Sequence, residues 1–348
     1  MSRIASRSTG LPVLAGQYSA LIHYHARLGA KLCHSWCSED VPRGTLAILR
    51  APVDPIFLAP TPLVGPVLSG LGLGQVLWSV TPKLFGLVAR IIAIANQKGG
   101  VGKTTTAVKL SACLAAAEQR TLLVDADPQG NATSGIGVVP ESIGRTTYDA
   151  LLDLCLPSMA IHHEVQFRKL DVMPATPDLT GAEVELVDVD RREYRMRIAL
   201  EQVSEAYDFV VIDCPPSLGL ITLNMLAAAD AVLIPLQCEY FALEGISHLM
   251  KTIELVQRGL NPKLVIDGVV LTMYDARLNL CRQVAADARA YFGAAVYDAV
   301  VPRNVRLAEA PSFGKPIITY DISSVGAVAY LALAKEVISR TGTYVPTQ

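Results

Sequence analysis

The sequence predicts an α/β fold in which a mostly parallel sheet is flanked by helices. Two observations lead to this class. Short apolar runs, typical of buried parallel strands, alternate with helical stretches from residue 90 to residue 340. A glycine-rich loop also stands between the first of these strands and the first helix. Because alternating strands and helices form βαβ units, we expect helices on both faces of the sheet.

The predicted elements follow one another with little interruption. Apolar runs predict strands at residues 90–95, 121–125, 170–173, 209–213, 231–236, 264–272 and 295–300. Helices are predicted from the glycine loop to about residue 119, and then at residues 148–156, 182–202, 243–258, 279–292 and 325–340. The 182–202 stretch mixes acidic residues with four arginines, a pattern typical of a solvated helix face; they are Arg191, Arg192, Arg195 and Arg197.

Composition sets limits on the class of protein. The chain has 348 residues, of which 51% are hydrophobic and 18% charged, so it can bury a sizeable core. Its net charge of −2 argues against a strongly basic nucleic-acid binder but leaves room for a local basic patch. Of the seven cysteines, Cys33 and Cys37 lie close together beside His34, but no second pair completes a metal clip. An odd number of cysteines without a secretory signal suits a reducing cytoplasm.

Residues 1–87 differ in kind from the rest of the chain. They hold seven basic and three acidic residues, a net charge of +4, and eight prolines. The uncharged run at residues 55–82 is long enough for a membrane helix, but its prolines and glycines would interrupt that helix repeatedly. We expect this extension to be disordered or a mis-assigned start, because Val88 opens the globular pattern and bacterial initiation can use a valine codon. The expected domains are thus residues 1–87 and residues 88–348.

The loop between the first strand and the first helix has the composition of a phosphate cradle. Residues 98–105 read Lys-Gly-Gly-Val-Gly-Lys-Thr-Thr. Glycines let successive backbone N–H groups face one anion, and the helix N-terminus adds partial positive charge. Lys103 would reach the β- and γ-phosphates, and the Thr104 hydroxyl would bind Mg²⁺. The ordinary P-loop pattern is not met, because its first glycine falls at Gln97; a second lysine, Lys98, stands at the mouth of the loop instead.

Two further predicted strands end in carboxylates. One runs into Asp125 and Asp127, and the other ends in Asp213. The carboxyl ends of parallel strands face the ligand crevice of an open α/β sheet. Asp213 fits the Walker B pattern, in which the acid holds Mg²⁺, usually through water. Either Asp125 or Asp127 could hold waters of Mg²⁺ or align an attacking water, and the turn at residues 214–217 could sense a γ-phosphate.

Taken together, these motifs resemble the ParA/Soj family of chromosome- and plasmid-partitioning ATPases, within the deviant Walker A (SIMIBI) class. The resemblance covers residues 88–340 and lies in five stretches, at residues 96–106, 124–135, 212–217, 237–245 and 301–312. It implies a single P-loop NTPase domain over residues 88–348. Nothing in residues 1–87 matches, and that segment does not look like the helix-turn-helix domain of larger plasmid ParA proteins.

The resemblance implies roles for individual residues. Lys98 would reach across a nucleotide-sandwich dimer to the partner's phosphates, as an arginine finger does. Asp127 matches the family's water-positioning aspartate, and with Lys98 and Lys103 it makes up the implied catalytic set. The implied Mg²⁺ site consists of Thr104, Asp125 and Asp213. Nucleotide contacts are implied for Gly99, Gly100, Val101, Gly102, Lys103, Thr104, Thr105, Pro302 and Arg303, of which the last two match the adenine pocket.

The resemblance also implies an activity and its partners. ATP and Mg²⁺ would be the cofactors, and the ATP-bound homodimer would bind double-stranded DNA without sequence preference through Arg277 and Arg306. Such phosphate contacts are salt-dependent and read no sequence. A ParB-type adaptor would stimulate slow hydrolysis and release the dimer, in a cytoplasmic and nucleoid-associated cycle. Four further basic residues could enlarge the DNA patch: Arg282, Arg289, Arg303 and Lys315.

Several other functions share the deviant loop. A ParA-like ATPase could position another cargo, because the adaptor selects the cargo. A MinD-like membrane-associated ATPase would need a basic amphipathic C-terminal helix, and residues 325–348 lack that character. An iron–sulfur carrier would need bridging cysteines or a C-x-x-C pair, which the sequence does not have. A metabolic ATP-dependent ligase is disfavoured by the match at residues 302–306.

Overall fold

One parallel sheet organises the described part of the molecule. The computed structural model describes residues 89–239 and 242–343, so the extension predicted at residues 1–87 lies outside the described residues. The strands are β1 (Arg90–Ile94), β2 (Thr121–Asp125), β3 (Leu170–Met173), β4 (Phe209–Asp213), β5 (Ala231–Gln237), β6 (Val265–Tyr274) and β7 (Val296–Pro302). They pair in parallel in the order β3-β2-β4-β1-β5-β6-β7, which confirms the predicted fold class.

Helices cover both faces of this sheet. They are α1 (Lys103–Ala116), α2 (Asn131–Gly135), α3 (Thr147–Leu151), α4 (Leu179–Glu185), α5 (Arg195–Glu201), α6 (Leu220–Ala228), α7 (Ala242–Gly259), α8 (Asn279–Phe292), α9 (Val305–Glu309), α10 (Ile317–Tyr320) and α11 (Val325–Thr343). In β1, Ile92 and Ile94 pack in the core formed with α1 and α11, while Ile91 and Ala93 pack in the core formed with α6 and α7. Because both faces of β1 are buried, its sequence is apolar without alternation.

The helix predicted at residues 148–156 is wrong beyond Leu151. The chain leaves the helix at Asp153, whose φ of 61° is left-handed. The Leu154 N–H then donates to the Asp149 carbonyl at 2.9 Å, which closes the helix end in the manner of a Schellman motif. At the start of α3, Thr146 and Asp149 form a capping box.

The single helix predicted at residues 182–202 is also wrong. Two short helices, α4 and α5, are separated at Arg191, whose φ of 53° cannot continue a helix. The arginines of this stretch do not share one solvated helix face. The Arg195 side chain is only 19% exposed, and it pairs with Asp153 at 3.3 Å in the loop that follows α3.

The sheet topology brings the predicted site residues to one edge. β1 lies between β4 and β5, so the chain changes sides of β1 between these two strands. Ligands of open α/β sheets bind at such a switch point, outside the carboxyl ends of the strands. The loop that follows β1 lies at that edge, together with Asp213 at the end of β4 and Pro302 at the end of β7. In residues 89–239 and 242–343, no helix has both the length and the apolar character needed to cross a membrane.

Candidate functional site

The loop between β1 and α1 has the backbone of an anion cradle. Gly100 has a φ of 76°, and Gly102, the N-cap of α1, has a φ of 92°. These left-handed angles favour glycine, and they let the loop lead directly into the N-terminus of α1, where free backbone N–H groups can bind an anion. The Thr106 N–H donates to the Gly102 carbonyl at 2.8 Å and so begins the helix. A buried bond of 2.8 Å from the Thr272 hydroxyl to the Val101 carbonyl ties the loop to β6.

The two lysines of this loop have different surroundings. The Lys103 ammonium donates to the Lys98 carbonyl at 3.1 Å. Lys103 is buried, and desolvation lowers its pKa, while the nearby Asp213, Cys214 and Asp127 act in the opposite direction. The Lys98 side chain is 34% exposed and forms an ion pair with Glu239, just beyond the end of β5. The loop therefore holds one buried cation and one at its rim.

Asp125 and Asp213 occupy neighbouring positions in paired strands, and both are fully buried. Asp125 is already well bonded, because it accepts from the Thr133 N–H at 2.8 Å, the Thr133 hydroxyl at 2.7 Å and the Asp127 N–H at 3.1 Å. Neither carboxylate oxygen of Asp213 has a hydrogen-bond partner in the part of the chain that the structure describes. The pKa of Asp213 is raised well above its usual value, first by desolvation and then by the Asp125 charge.

The surroundings of Asp213 fit a hard cation. The Thr104 side chain and the Lys103 ammonium are the groups that lower its pKa, so a hydroxyl and an ammonium group lie beside this carboxylate. A buried carboxylate with unfilled acceptor sites next to a threonine hydroxyl is a donor set that suits Mg²⁺ bound partly through water and phosphate. Across the described residues, no cluster of three or more His, Cys, Asp or Glu forms an all-protein metal site.

Asp127 lies in the turn between β2 and α2 and is 8% exposed. Its Oδ1 accepts from the Gln129 N–H at 3.0 Å, and its carbonyl accepts from the Gly130 N–H at 2.9 Å. Gly130 has a φ of 61° and is the N-cap of α2. The carboxylate is thereby fixed in a tight turn close enough to Lys103 to influence its pKa. The structure thus brings Asp127 to the phosphate loop, as the sequence predicts.

A cavity of about 430 Å³ adjoins the phosphate loop. Gly102 and Thr105 line it from the loop, and Pro302 and Arg303 line it from the end of β7. Its remaining lining residues are Thr272, Met273, Val301, Asn304, Val305, Leu307, Ala308 and Tyr330. The cavity therefore joins the predicted phosphate-binding and adenine-binding residues in one space.

Sequence reasoning missed two residues of this site, Asn304 and Glu239. Asn304 is the N-cap of α9, yet its side chain makes no cap hydrogen bond, and its buried Oδ1 has no partner among the described residues. Its position before a short helix suggests an ordinary cap, so the sequence gives no signal that its side-chain oxygen is left without a partner beside the cavity. The contact of Glu239 with Lys98 joins residues that are far apart in the chain, and no spacing rule could have found it.

The predicted DNA-binding arginines lie beyond the carboxyl ends of β6 and β7, Arg277 in the loop that follows β6 and Arg306 in the short helix α9. The Arg277 side chain is 88% exposed and pairs with Asp275 at 2.6 Å, and this contact lowers the pKa of Asp275 to about 2. Arg303 also lowers that pKa, and its N–H donates to the Tyr274 carbonyl, so the loops after β6 and β7 are neighbours. Arg306 is half exposed and pairs with Glu309 at 2.9 Å. Both arginines are exposed, and each has an acidic partner within its own chain.

The fold and this edge define a P-loop NTPase with the deviant form of the Walker A loop. A family model described as an AAA domain matches residues 89–266. The chromosome partitioning protein ParA of Myxococcus xanthus is 60% identical over 253 residues, which cover 73% of this chain and 89% of that protein. The sporulation initiation inhibitor protein Soj of Bacillus subtilis is 57% identical over 250 residues, which cover 72% and 98%. The chain belongs to the ParA/Soj family of chromosome-partitioning ATPases.

Solved structures share the fold. The cobyrinic acid a,c-diamide synthase of Mycobacterium smegmatis, with bound ADP and magnesium, is 37% identical with a TM-score of 0.64, and the match covers 75% of this chain and 99% of that one. The septum site-determining protein MinD of Pyrococcus horikoshii, complexed with Mg-ADP, is 25% identical with a TM-score of 0.60, covering 74% and 100%. The ligands of these relatives agree with the predicted cofactors, ATP and Mg²⁺.

Proposed function

We propose that the protein is a slow ATPase that partitions a chromosome or plasmid, and that it works as an ATP-dependent homodimer. The observation that carries this proposal is the site beside the phosphate loop. There, the buried Asp213 carboxylate lacks a partner in the described chain, while Lys103 and Thr104 lie next to it. These groups are arranged for a nucleotide polyphosphate with its cation, and the family supplies the biological setting.

Each residue of the site has a defined task in this proposal. Lys103 and the backbone N–H groups of the loop bind the phosphates, while Asp213 and Thr104 hold Mg²⁺, with Asp125 fixing the adjoining turn. When bound, Mg²⁺ neutralises charge that develops on the transferring phosphoryl group. Asp127 positions the attacking water. The missing element is a second cation at the γ-phosphate, which Lys98 of a second subunit supplies in trans.

The cavity lined by Pro302 and Arg303 receives the adenine ring. Its largely apolar walls suit a planar base. The buried Asn304 Oδ1 accepts a hydrogen bond from the exocyclic amine of adenine. Guanine carries a carbonyl oxygen at that position, which would face the Asn304 oxygen unfavourably and leave it without a donor. The site therefore selects ATP over GTP.

The dimer binds double-stranded DNA without sequence preference and is released after hydrolysis stimulated by a ParB-type adaptor. Support comes from the exposed Arg277 and Arg306, which lie in the segments that follow β6 and β7 at the nucleotide edge. Two copies facing each other would combine their basic loops into one surface, although the whole chain carries a net charge of only −2. The protein then cycles between the cytoplasm and the nucleoid.

The decisive experiment is Lys98→Ala, with ATP-dependent dimerisation measured by sedimentation and DNA retention measured by filter binding. We expect nucleotide binding to persist, because Lys103 remains, while dimerisation and DNA retention are lost. Lys169→Ala, which removes an exposed lysine paired with Glu118, is the charge-matched control and should behave as wild type. ATP-dependent, salt-sensitive DNA binding by the Lys98→Ala protein would contradict the sandwich dimer.

We also propose that residues 88–348 are the ATPase unit and that residues 1–87 take no part in it. The start of the family match at residue 89 supports this boundary. Limited proteolysis of the full chain should leave a fragment that begins near residue 88 and retains ATP binding. Loss of ATP binding on removal of the extension would place part of the site before the boundary.

A further inference from the structure

Lys98 is held to the segment around the end of β5 by its backbone as well as its side chain. Its N–H donates to the Asn96 Oδ1 at 3.0 Å, and the buried Asn96 amide donates to the Pro235 carbonyl of β5 at 2.8 Å. Its ammonium forms an ion pair with Glu239, two residues beyond β5. Both ends of this ion pair are therefore fixed to the same strand.

This arrangement differs from an ordinary surface ion pair. Most exposed pairs contribute little, because ordering two long side chains opposes the attraction between their charges. Here the backbone of Lys98 is fixed by Asn96, and both side chains are only about one third exposed, at 34% each. The pair accordingly loses less conformational freedom on forming, and its charges are partly shielded from water.

The pair also competes with the proposed role of Lys98. A lysine that must reach the phosphates of a second subunit cannot keep its contact with Glu239. A Glu239 carboxylate that stayed beside an incoming polyphosphate would in addition repel it. Glu239 is connected to the next element, because its carbonyl accepts from the N–H of Ala242, the first residue of α7, at 3.0 Å.

We propose that Glu239 is a positioning residue that holds Lys98 within its own subunit until the nucleotide of a second subunit replaces it. The ion pair thus raises the threshold for dimerisation and leaves nucleotide binding by the monomer unaffected. This inference rests on the proposed sandwich dimer. It adds that the deviant lysine has two alternative partners, a carboxylate in cis and a polyphosphate in trans.

The test compares wild type with Glu239→Gln in the full chain, using Mg²⁺ and adenylyl-imidodiphosphate so that dimers are not lost to hydrolysis. A partly exposed ion pair shifts an equilibrium about two- to fivefold. Because both subunits must release their lysine, the dimer dissociation constant should fall about four- to 25-fold. The association rate should rise while the dissociation rate stays unchanged, because the pair exists only before assembly.

Two controls separate positioning from folding. Glu201→Gln removes the same charge from the exposed pair with Arg197 on α5 and should leave the dimer constant unchanged. The dimer dissociation constants of wild type and Glu239→Gln should converge as the salt concentration is raised, because screening weakens the ion pair between Lys98 and Glu239. Binding of the analogue to the monomer should be equal in all three proteins.

The outcomes distinguish the two proposals. A wild type that stays monomeric with saturating analogue would overturn the sandwich dimer and, with it, the proposed role of Glu239. If wild type dimerises and the Glu239→Gln protein has an equal or larger dimer dissociation constant, only the proposed role of Glu239 would be overturned. A faster dissociation rate of the variant dimer would show that Glu239 instead stabilises the assembled dimer, and this result would also overturn its proposed role.

Discussion

The carboxylate of Asp213 is buried, with neither oxygen paired in the described part of the chain. Burying a charged group without partners opposes folding, which is why its pKa rises. Its neighbour Asp125 is equally buried but accepts three hydrogen bonds, two of them from Thr133. Two acids in paired positions therefore differ in their surroundings: the Asp125 oxygens accept bonds from the following turn, and the Asp213 oxygens are left open for the ligand that we propose.

Asn304 should decide base selectivity. We expect Asn304→Ala to weaken ATP binding about tenfold, the effect of losing one buried hydrogen bond, while GTP binding changes little. Calorimetric titration with both nucleotides measures the ratio. The variant Asn304→Asp keeps an acceptor oxygen at this position and should retain the preference for ATP. Equal losses for ATP and GTP in Asn304→Ala would mean that the side chain only shapes the cavity.

Lys109, on the buried side of α1, should reduce stability at neutral pH. Desolvation lowers its pKa to about 8, and its ammonium has one acceptor at 3.2 Å, the Lys315 carbonyl. Below about pH 8 the charged amine is buried at a cost, which is removed as the pH rises toward its unfolded pKa near 10.4. The contribution of this lysine to stability therefore increases between about pH 8 and pH 10.

The variant Lys109→Met removes that cost. We expect its free energy of unfolding at pH 7 to exceed that of wild type by about 3 kcal/mol, since one pKa unit corresponds to about 1.4 kcal/mol and the pKa is lowered from about 10.4 to about 8. The difference should shrink at pH 10, where the amine is neutral in the folded state and close to its own pKa in the unfolded state. Urea unfolding of wild type and Lys109→Met at pH 7 and at pH 10 measures both free energies. Subtracting the free energy of one protein from that of the other at each pH removes the effect of all other titrating groups, because both proteins share them. A gap that does not change with pH would disprove this account.

At the scale of elements, α11 is attached to the sheet through a buried charged cluster. Arg90 of β1 pairs with Asp267 of β6, which also accepts from the Tyr297 hydroxyl of β7. The Arg90 guanidinium donates to the Thr341 hydroxyl at 2.6 Å, and the Arg340 guanidinium lies 3.9 Å from the centre of the Tyr297 ring. Three strands and the last helix are therefore joined near the amino ends of the strands.

Asp267→Ala should damage this attachment severely. The substitution removes the carboxylate that faces the buried Arg90 guanidinium, and breaking a buried pair from one side costs about 3–5 kcal/mol. The milder Tyr297→Phe keeps the charge pair and should cost about 1 kcal/mol, the value of one buried hydrogen bond. Chemical denaturation measures both. Similar losses for the two variants would show that ring packing, and not the charge pair, holds α11.

The success of sequence prediction also varied by element. Every strand lies within two residues of its predicted bounds, because burial on both faces leaves an unmistakable apolar run. The helices at residues 148–156 and 182–202 failed where Asp153 and Arg191 adopt left-handed angles, which neither residue type announces. The phosphate loop and the acids at strand ends were predictable from local motifs. The position of Asn304 beside the cavity and the ion pair of Glu239 with Lys98 were not, because both depend on how segments distant in the chain pack together.

At the scale of the whole molecule, the proposed function depends on two subunits sharing one surface. Asp275 and Glu309 pair with the arginines proposed to contact DNA, so a single subunit offers phosphates little uncompensated charge. DNA phosphates would have to replace these acidic partners. Bringing two subunits together doubles the number of contacts and multiplies their effect on affinity.

Removing Arg277 and Arg306 together should therefore reduce the salt dependence of DNA binding. Each released phosphate contact contributes about 0.9 to the slope of log K against log salt. The double variant Arg277→Ala, Arg306→Ala loses four contacts per dimer, so the slope should fall by about three to four. Arg197→Ala with Arg258→Ala removes two exposed arginines from other surfaces and should preserve the slope. Fluorescence anisotropy over a salt series measures each slope.

The two ends of the parallel strands carry different kinds of buried charge. The amino ends hold the cluster of Arg90 and Asp267, whose charged groups contact each other, whereas the carboxyl ends hold Asp213, whose two oxygens accept no hydrogen bond in the described chain. We therefore expect the amino ends to resist opening more than the carboxyl ends, which a bound ligand would stabilise further. Amide hydrogens of the loops at the carboxyl ends should exchange long before those at the opposite end, so that the proposed ATP cycle could rearrange the site while the sheet stays intact.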